Sequence, residues 1–88
     1  MVKEEEYAAL ETAIKSSQAA DLPSLVDRSE VFFRQGGLHC DRLMDAMQEK
    51  LLEIVKNCTE PQREQIKIPV EELCRIFDLC APFILKKE

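Results

Sequence analysis

Between Cys40 and Cys58 apolar residues recur at every third or fourth position: Cys40, Leu43, Met44, Met47, Leu51, Ile54, Val55 and Cys58. That period gathers them on one side of an α-helix and would scatter them over both faces of a strand. Arg42, Asp45, Glu49, Glu53 and Lys56 fall on the opposite, water-facing side. Leu38 and Leu52 lie beside the stripe and widen it. An apolar arc this broad suits a helix that touches two neighbours. The spacing predicts a helix over about residues 38–58, and the rest of the chain must supply the faces that cover it.

The remaining segments carry the same period. Tyr7, Leu10, Ile14 and Ser17 mark a first helix over about residues 3–19. Glu4, Glu5 and Glu6 sit in its first turn, where negative charge complements the helix dipole. Its alanines bury little area per residue, so this is the element a partner would most readily borrow. Asp21 then offers an N-cap, and Pro23 a first turn. Leu22, Leu25, Val26, Ser29, Phe32 and Phe33 define a second helix over about 22–35. Gly36-Gly37 ends it, since glycine takes the left-handed conformation that closes helices. So short a link makes the second and third helices neighbours in an antiparallel hairpin. Thr59 with Gln62 forms a capping box, which predicts a short turn or helix over about 60–66. Ile66 to Pro69 reads as extended, because the residue before proline avoids the α region. A fourth helix follows over about 69–81, with Val70, Leu73, Cys74, Phe77, Cys80 and Ala81 on its inner face. Pro82 ends or kinks it, and 82–88 is an apolar tail. The expected fold is a single all-α domain over 1–88, a small antiparallel bundle of four helices, or of three with one facing a partner.

Composition limits what such a bundle can do. The chain has 88 residues, 45% apolar and 33% charged, with 2 Gly and 4 Pro. That is a folded composition with few turns. Its net charge is −5, and its 12 bases are dispersed among 17 acids. Nucleic acids and anionic membranes are bound through clustered bases, so neither is an expected partner. The longest run without a charged or polar side chain, Leu79 to Leu85, is far short of the roughly 20 residues that span a bilayer. No membrane insertion is expected. The opening residues lack a basic segment followed by an apolar one, so no secretory signal is expected, and Val2 stands where myristoylation needs glycine. Cys40, Cys58, Cys74 and Cys80 are then expected as reduced, packed thiols in a cytoplasmic protein.

Candidate chemistry is sparse. His39 with the four cysteines has the ligand types for zinc. No C-x-x-C pair is present, however, and adjacent His39 and Cys40 would point about 100° apart on a helix. A nucleophilic Cys40 or Cys58 needs a base, and the one histidine is badly placed to serve Cys40. A phosphorelay role for His39 would require it in mid-helix rather than at a helix start. No catalytic residue, metal or cofactor is expected, and the chain is not expected to be an enzyme. Met44 and Met47 suit either a core or an adaptable groove. Phe83, Ile84 and Leu85 form an apolar cluster after Pro82, either folded back over the bundle or free to dock. Phe32 and Phe33 are adjacent, so one leaves the main stripe. The expected function is a protein–protein interaction module: a small subunit, adaptor or assembly chaperone. It would bury an apolar helix face against another protein or in a homodimer, with Phe32, Phe33, Phe83, Ile84 and Leu85 as anchors. The alternative is a cytosolic thiol- or metal-binding protein using Cys40, Cys58, Cys74 and Cys80.

Overall fold

The computed structural model describes residues 3–86. Among them are four long helices, one short one and no strand. These are α1 (Glu4–Ser16), α2 (Leu22–Arg34), α3 (Asp41–Asn57), α4 (Glu60–Phe77) and α5 (Ala81–Ile84), with a 3-10 turn at Ala19–Asp21 before α2. The fold is the expected small all-α bundle. Among the described residues no helix is long and apolar enough to cross a membrane.

The stripes of α2 and α3 face inward as their spacing requires. Leu22, Leu25, Ser29 and Phe32 are buried on α2, and Leu43, Met47, Leu51, Ile54 and Val55 on α3. Arg42, Asp45, Glu49, Glu53 and Lys56 are exposed. Ser29 is fully buried, yet its hydroxyl has no hydrogen-bond partner among the described residues. A buried unpaired hydroxyl costs roughly 1–3 kcal/mol. Ser29→Ala removes it with almost no change in volume. We expect a gain of about 1 kcal/mol or more, read as a higher urea midpoint at unchanged slope. A lower midpoint would show that the hydroxyl is satisfied in solution.

Helix neighbours differ from those expected. Arg42, at the start of α3, bonds to Glu4 and Glu11 of α1, while Lys15 and Ser16 share a groove with Glu53 and Asn57 at the far ends. The two helices therefore run parallel, side by side. Likewise Pro23 lies with Ile66 and Pro69 in one groove, and Phe33 meets Phe77 at the other end, so α2 and α4 are also parallel partners. Successive helices alternate in direction, but the closest packing is α1 with α3 and α2 with α4. The link of residues 35–40 crosses the bundle, and α2 and α3 do not form a hairpin. A short link limits the distance between two helix ends, not which sides the helices turn to each other.

Local chemistry shifted several boundaries. Helix α1 stops at Ser16 rather than near residue 19. Ser16 and Ser17 donate back to carbonyls one turn earlier, at Thr12 and Ala13, and such bonds compete with helix continuation. Asp21 does not cap α2 through its side chain; its carboxylate instead accepts the Gln18 N–H, closing the 3-10 turn. Helix α2 ends as expected at the glycines. Gly36 takes φ 105°, and Gly37 N–H donates to the Phe32 carbonyl while Gly36 N–H donates to Phe33, a Schellman closure. Helix α3 begins at Asp41, not near residue 38, because Cys40 is extended (φ −147°, ψ 154°) at its N-cap. Leu38 N–H donates to the Tyr7 hydroxyl, and His39 stacks on Phe33.

The largest departure is α4. One helix runs from Glu60 to Phe77, straight through Pro69, where an extended break between helices at 60–66 and 69–81 was expected. An interior proline loses a hydrogen bond and crowds the preceding turn, costing about 3 kcal/mol. Uninterrupted, however, the helix aligns Ile66, Val70, Leu73 and Phe77, all buried. Each is worth roughly 1.5–3 kcal/mol, so the single register wins. The capping box at Thr59 is present, with Thr59 N–H donating to Gln62 Oε1 and Gln62 N–H to Thr59 Oγ1. Helix α4 ends at Phe77, four residues before the expected stop, because Asp78 is left-handed (φ 57°) and Leu79 N–H closes onto the Cys74 carbonyl. Aspartate tolerates that conformation better than most side chains. Pro82 then falls in the first turn of α5, where its missing N–H costs nothing. The tail is thus partly helical; residues 87–88 lie outside the described ones.

Helix α1 is better attached than its alanines suggest. Leu10 and Ile14 are in the core, and Tyr7 meets Phe32 edge-on at 4.9 Å. Arg42 adds the bridge to Glu4 and Glu11. The Arg42 guanidinium, helped by Lys15, holds the Glu11 carboxyl below its ordinary value of 4.5. A carboxyl lowered on folding stabilises above its unfolded value and stops doing so as pH falls through the folded one. We therefore expect α1 amides to lose exchange protection as pH drops below about 4.5. Arg42→Gln should lower α1 protection already at neutral pH and flatten its fall in acid, because the main cause of the lowered Glu11 value is gone. An unchanged profile in the variant would show that the bridge does not hold α1.

Candidate functional site

The structure divides the five anchors expected from the sequence between two places. Phe32 and Phe33 belong to an aromatic cluster at one end of the bundle. Phe32 meets Tyr7 at 4.9 Å and Phe33 at 5.1 Å, both edge-on. Phe33 in turn meets Phe77 at 5.3 Å and carries His39 stacked at 4.6 Å. Edge-on packing of this kind adds to plain burial. Phe32 is buried and Phe33 half-buried, so both are committed to the chain's own core.

Phe83, Ile84 and Leu85 lie elsewhere. Helix α5 packs in the seam between α3 and α4. Ile84 is buried there, Leu85 half-buried, and Phe83 remains 56% exposed. Phe83 and Ile84 form one side of a groove of about 670 Å³, which Glu60 also lines. Leu52, Val55 and Cys58 of the α3 side line it, with Arg63 from the second turn of α4. A smaller hollow beside it shares Glu60 and Arg63 and is lined further by Glu64, Lys67 and Leu85. Arg63 Nη2 donates to the Val55 carbonyl at 3.3 Å, which lays the guanidinium along the seam. Its Nε is buried without a partner among the described residues. Lys56 and Lys86 also line the groove. Sequence reasoning reached Phe83 and Ile84 but not Lys56, Arg63 or Lys86. The three bases are far apart in sequence, and only the turn at Cys58–Thr59 and the return of α5 bring them together.

The other candidates are scattered. Cys74 is buried, Cys40 and Cys58 half-buried, and Cys80 exposed, all as free thiols. Burial, with smaller effects from Cys80 and Glu71, pushes the Cys74 thiol up to about 11. It is therefore protonated at neutral pH, and a protonated thiol is a poor ligand and nucleophile. Among the described residues no three His, Cys, Asp or Glu side chains are grouped as a metal would need. His39 lies flat on Phe33 in the loop before α3, a packing role. Met47 is buried in the core, and Met44 half-buried. Besides Phe83, the large exposed apolar residues are Val31 (45%), Leu38 (70%) and Ile68 (71%). None of these three lines the groove. What the groove offers chemically is an apolar floor, an exposed phenyl ring and hydrogen-bond donors of positive charge.

No family model matches the chain, and neither a curated protein nor a solved structure matches it significantly.

Proposed function

We propose that this chain is a non-enzymatic protein–protein interaction module: a small subunit, adaptor or assembly chaperone that buries an apolar helical face against another protein. The supporting observation is Phe83. Single exposed apolar residues such as Ile68 are ordinary on any surface. Phe83 differs in standing at the edge of a concave groove, on a short helix held by the buried Ile84 beneath it. Exposed aromatic residues beside grooves are common interface anchors. The four free thiols favour a reducing compartment, and we place the module in the cytoplasm.

The test is the mass of the native assembly, measured on protein isolated from its source and on the purified chain. The expected result is a stoichiometric complex, or a homodimer, that Phe83→Asp dissociates without unfolding the chain. A monomer without a stoichiometric partner in both preparations overturns the reading.

A further inference from the structure

We propose that the groove between α3, α4 and α5 binds an acidic amphipathic helix of a partner protein, one that carries large apolar residues on one face and carboxylates beside them. This rests on the interaction reading above and names the partner's chemistry.

Charge is the first argument. The groove and the hollow beside it carry Lys56, Arg63, Lys67 and Lys86 against Glu60 and Glu64. That is four bases against two acids, in a chain that holds 12 against 17. The groove is therefore a local basic site on an acidic protein. Charge complementarity of this sort selects partners more than it adds affinity.

Donor capacity is the second argument. A guanidinium has five N–H donors, and Arg63 uses one, on the Val55 carbonyl. That bond and the burial of Nε hold the guanidinium along the seam, and its terminal nitrogens are the donors that could meet a carboxylate. Lys56 and Lys86 form no ion pair among the described residues. Among the described residues, Lys56 and Lys86 are thus not committed to a carboxylate, unlike Arg42, which bonds to two glutamates.

Shape is the third. Leu52 and Ile84 give an apolar floor, and Phe83 a wall that an incoming aliphatic or aromatic side chain would cover. An amphipathic helix meets both demands, since apolar residues at i, i+3, i+4 and i+7 share one face with charges flanking them. A nucleic acid would bring many phosphates toward a surface whose net charge is −5, which opposes it.

The experiment is an amide-resolved NMR titration of the full chain with three probes. One is a peptide of about four helical turns with a Leu/Phe stripe flanked by glutamates. The second has lysines in place of those glutamates, and the third is a single-stranded oligothymidylate. The expected result is that the glutamate peptide shifts the amides of Leu52, Lys56, Arg63, Phe83 and Lys86. Phe83→Ala, and separately the exposed pair Lys56→Glu with Lys86→Glu, should each weaken it by about tenfold. The charge pair leaves the core untouched, so it reports binding rather than folding. Absence of shifts up to about 1 mM peptide overturns the assignment. So does an equal footprint from the lysine peptide or the oligonucleotide. A native partner that stays bound to the Lys56→Glu, Lys86→Glu chain removes the groove and leaves the interaction reading standing. A chain without any partner removes that reading, and the peptide titration then decides the groove by itself.

Discussion

Phe77→Ala should lower stability by about 3–5 kcal/mol, the usual loss for a buried phenylalanine. An 88-residue domain is stable by only roughly 4–13 kcal/mol, so the variant sits near the edge of folding. Phe77 is the largest fully buried side chain. It closes the inner face of α4 and packs edge-on against Phe33 of the partner helix α2. Truncation leaves a cavity where α2 and α4 meet, just before the backbone turns at Asp78. The surroundings cannot collapse easily, because Phe33 is also held by Phe32 and His39. Urea unfolding should show a much lower midpoint, and a thermal midpoint lowered by at least about 12 °C. A loss below about 1 kcal/mol would place Phe77 outside the core.

Gly37→Ala should cost about 1–3 kcal/mol, the range for overpacking a tight site. A β-carbon built at Gly37 lies 2.2–2.8 Å from three atoms of the Phe32 ring. That ring cannot swing aside freely, since Tyr7 and Phe33 meet it edge-on. Backbone freedom is not the issue here, because it is Gly36 that takes the positive φ. Phe32→Leu tests the cause: with the ring gone, Gly37→Ala should cost clearly less than it does in the native background. Equal costs in both backgrounds would show that the ring is not what the methyl strikes.

How much of this was legible in the chain depends on the range of the interactions involved. The inner faces of α2 and α3 could be read directly, because the 3.6-residue period is a local property and burial follows it. The capping box at Thr59 and the closure at Gly36-Gly37 are local too, and both are present. Pro69 was misleading because its penalty is local while the gain that outweighs it comes from Ile66, Val70, Leu73 and Phe77 packing on other helices. The pairing of α1 with α3 was hidden for a similar reason: no feature of residues 35–40 says which way the flanking helices turn. At the groove, Phe83 and Ile84 stand out as an apolar cluster after a proline. Lys56 and Arg63 look like ordinary surface bases until α3 and α4 are laid side by side.

The parallel pairing of alternate helices also sets the order in which this chain can acquire structure. The Arg42 contacts to Glu4 and Glu11 join residues 38 and 31 positions apart. An ordinary helical hairpin closes far shorter loops. Because α1 packs more extensively on α3 than on α2, and α4 more extensively on α2 than on α3, two consecutive helices cover only part of each other's apolar faces. Emerging from a ribosome, α2 lacks its main cover until α4 has been made, about half the length of the chain later. Structure should therefore appear late and all at once, and slowly for so helical a protein, since non-local closure slows folding. Until then the apolar side of α2 stays open to whatever else is near.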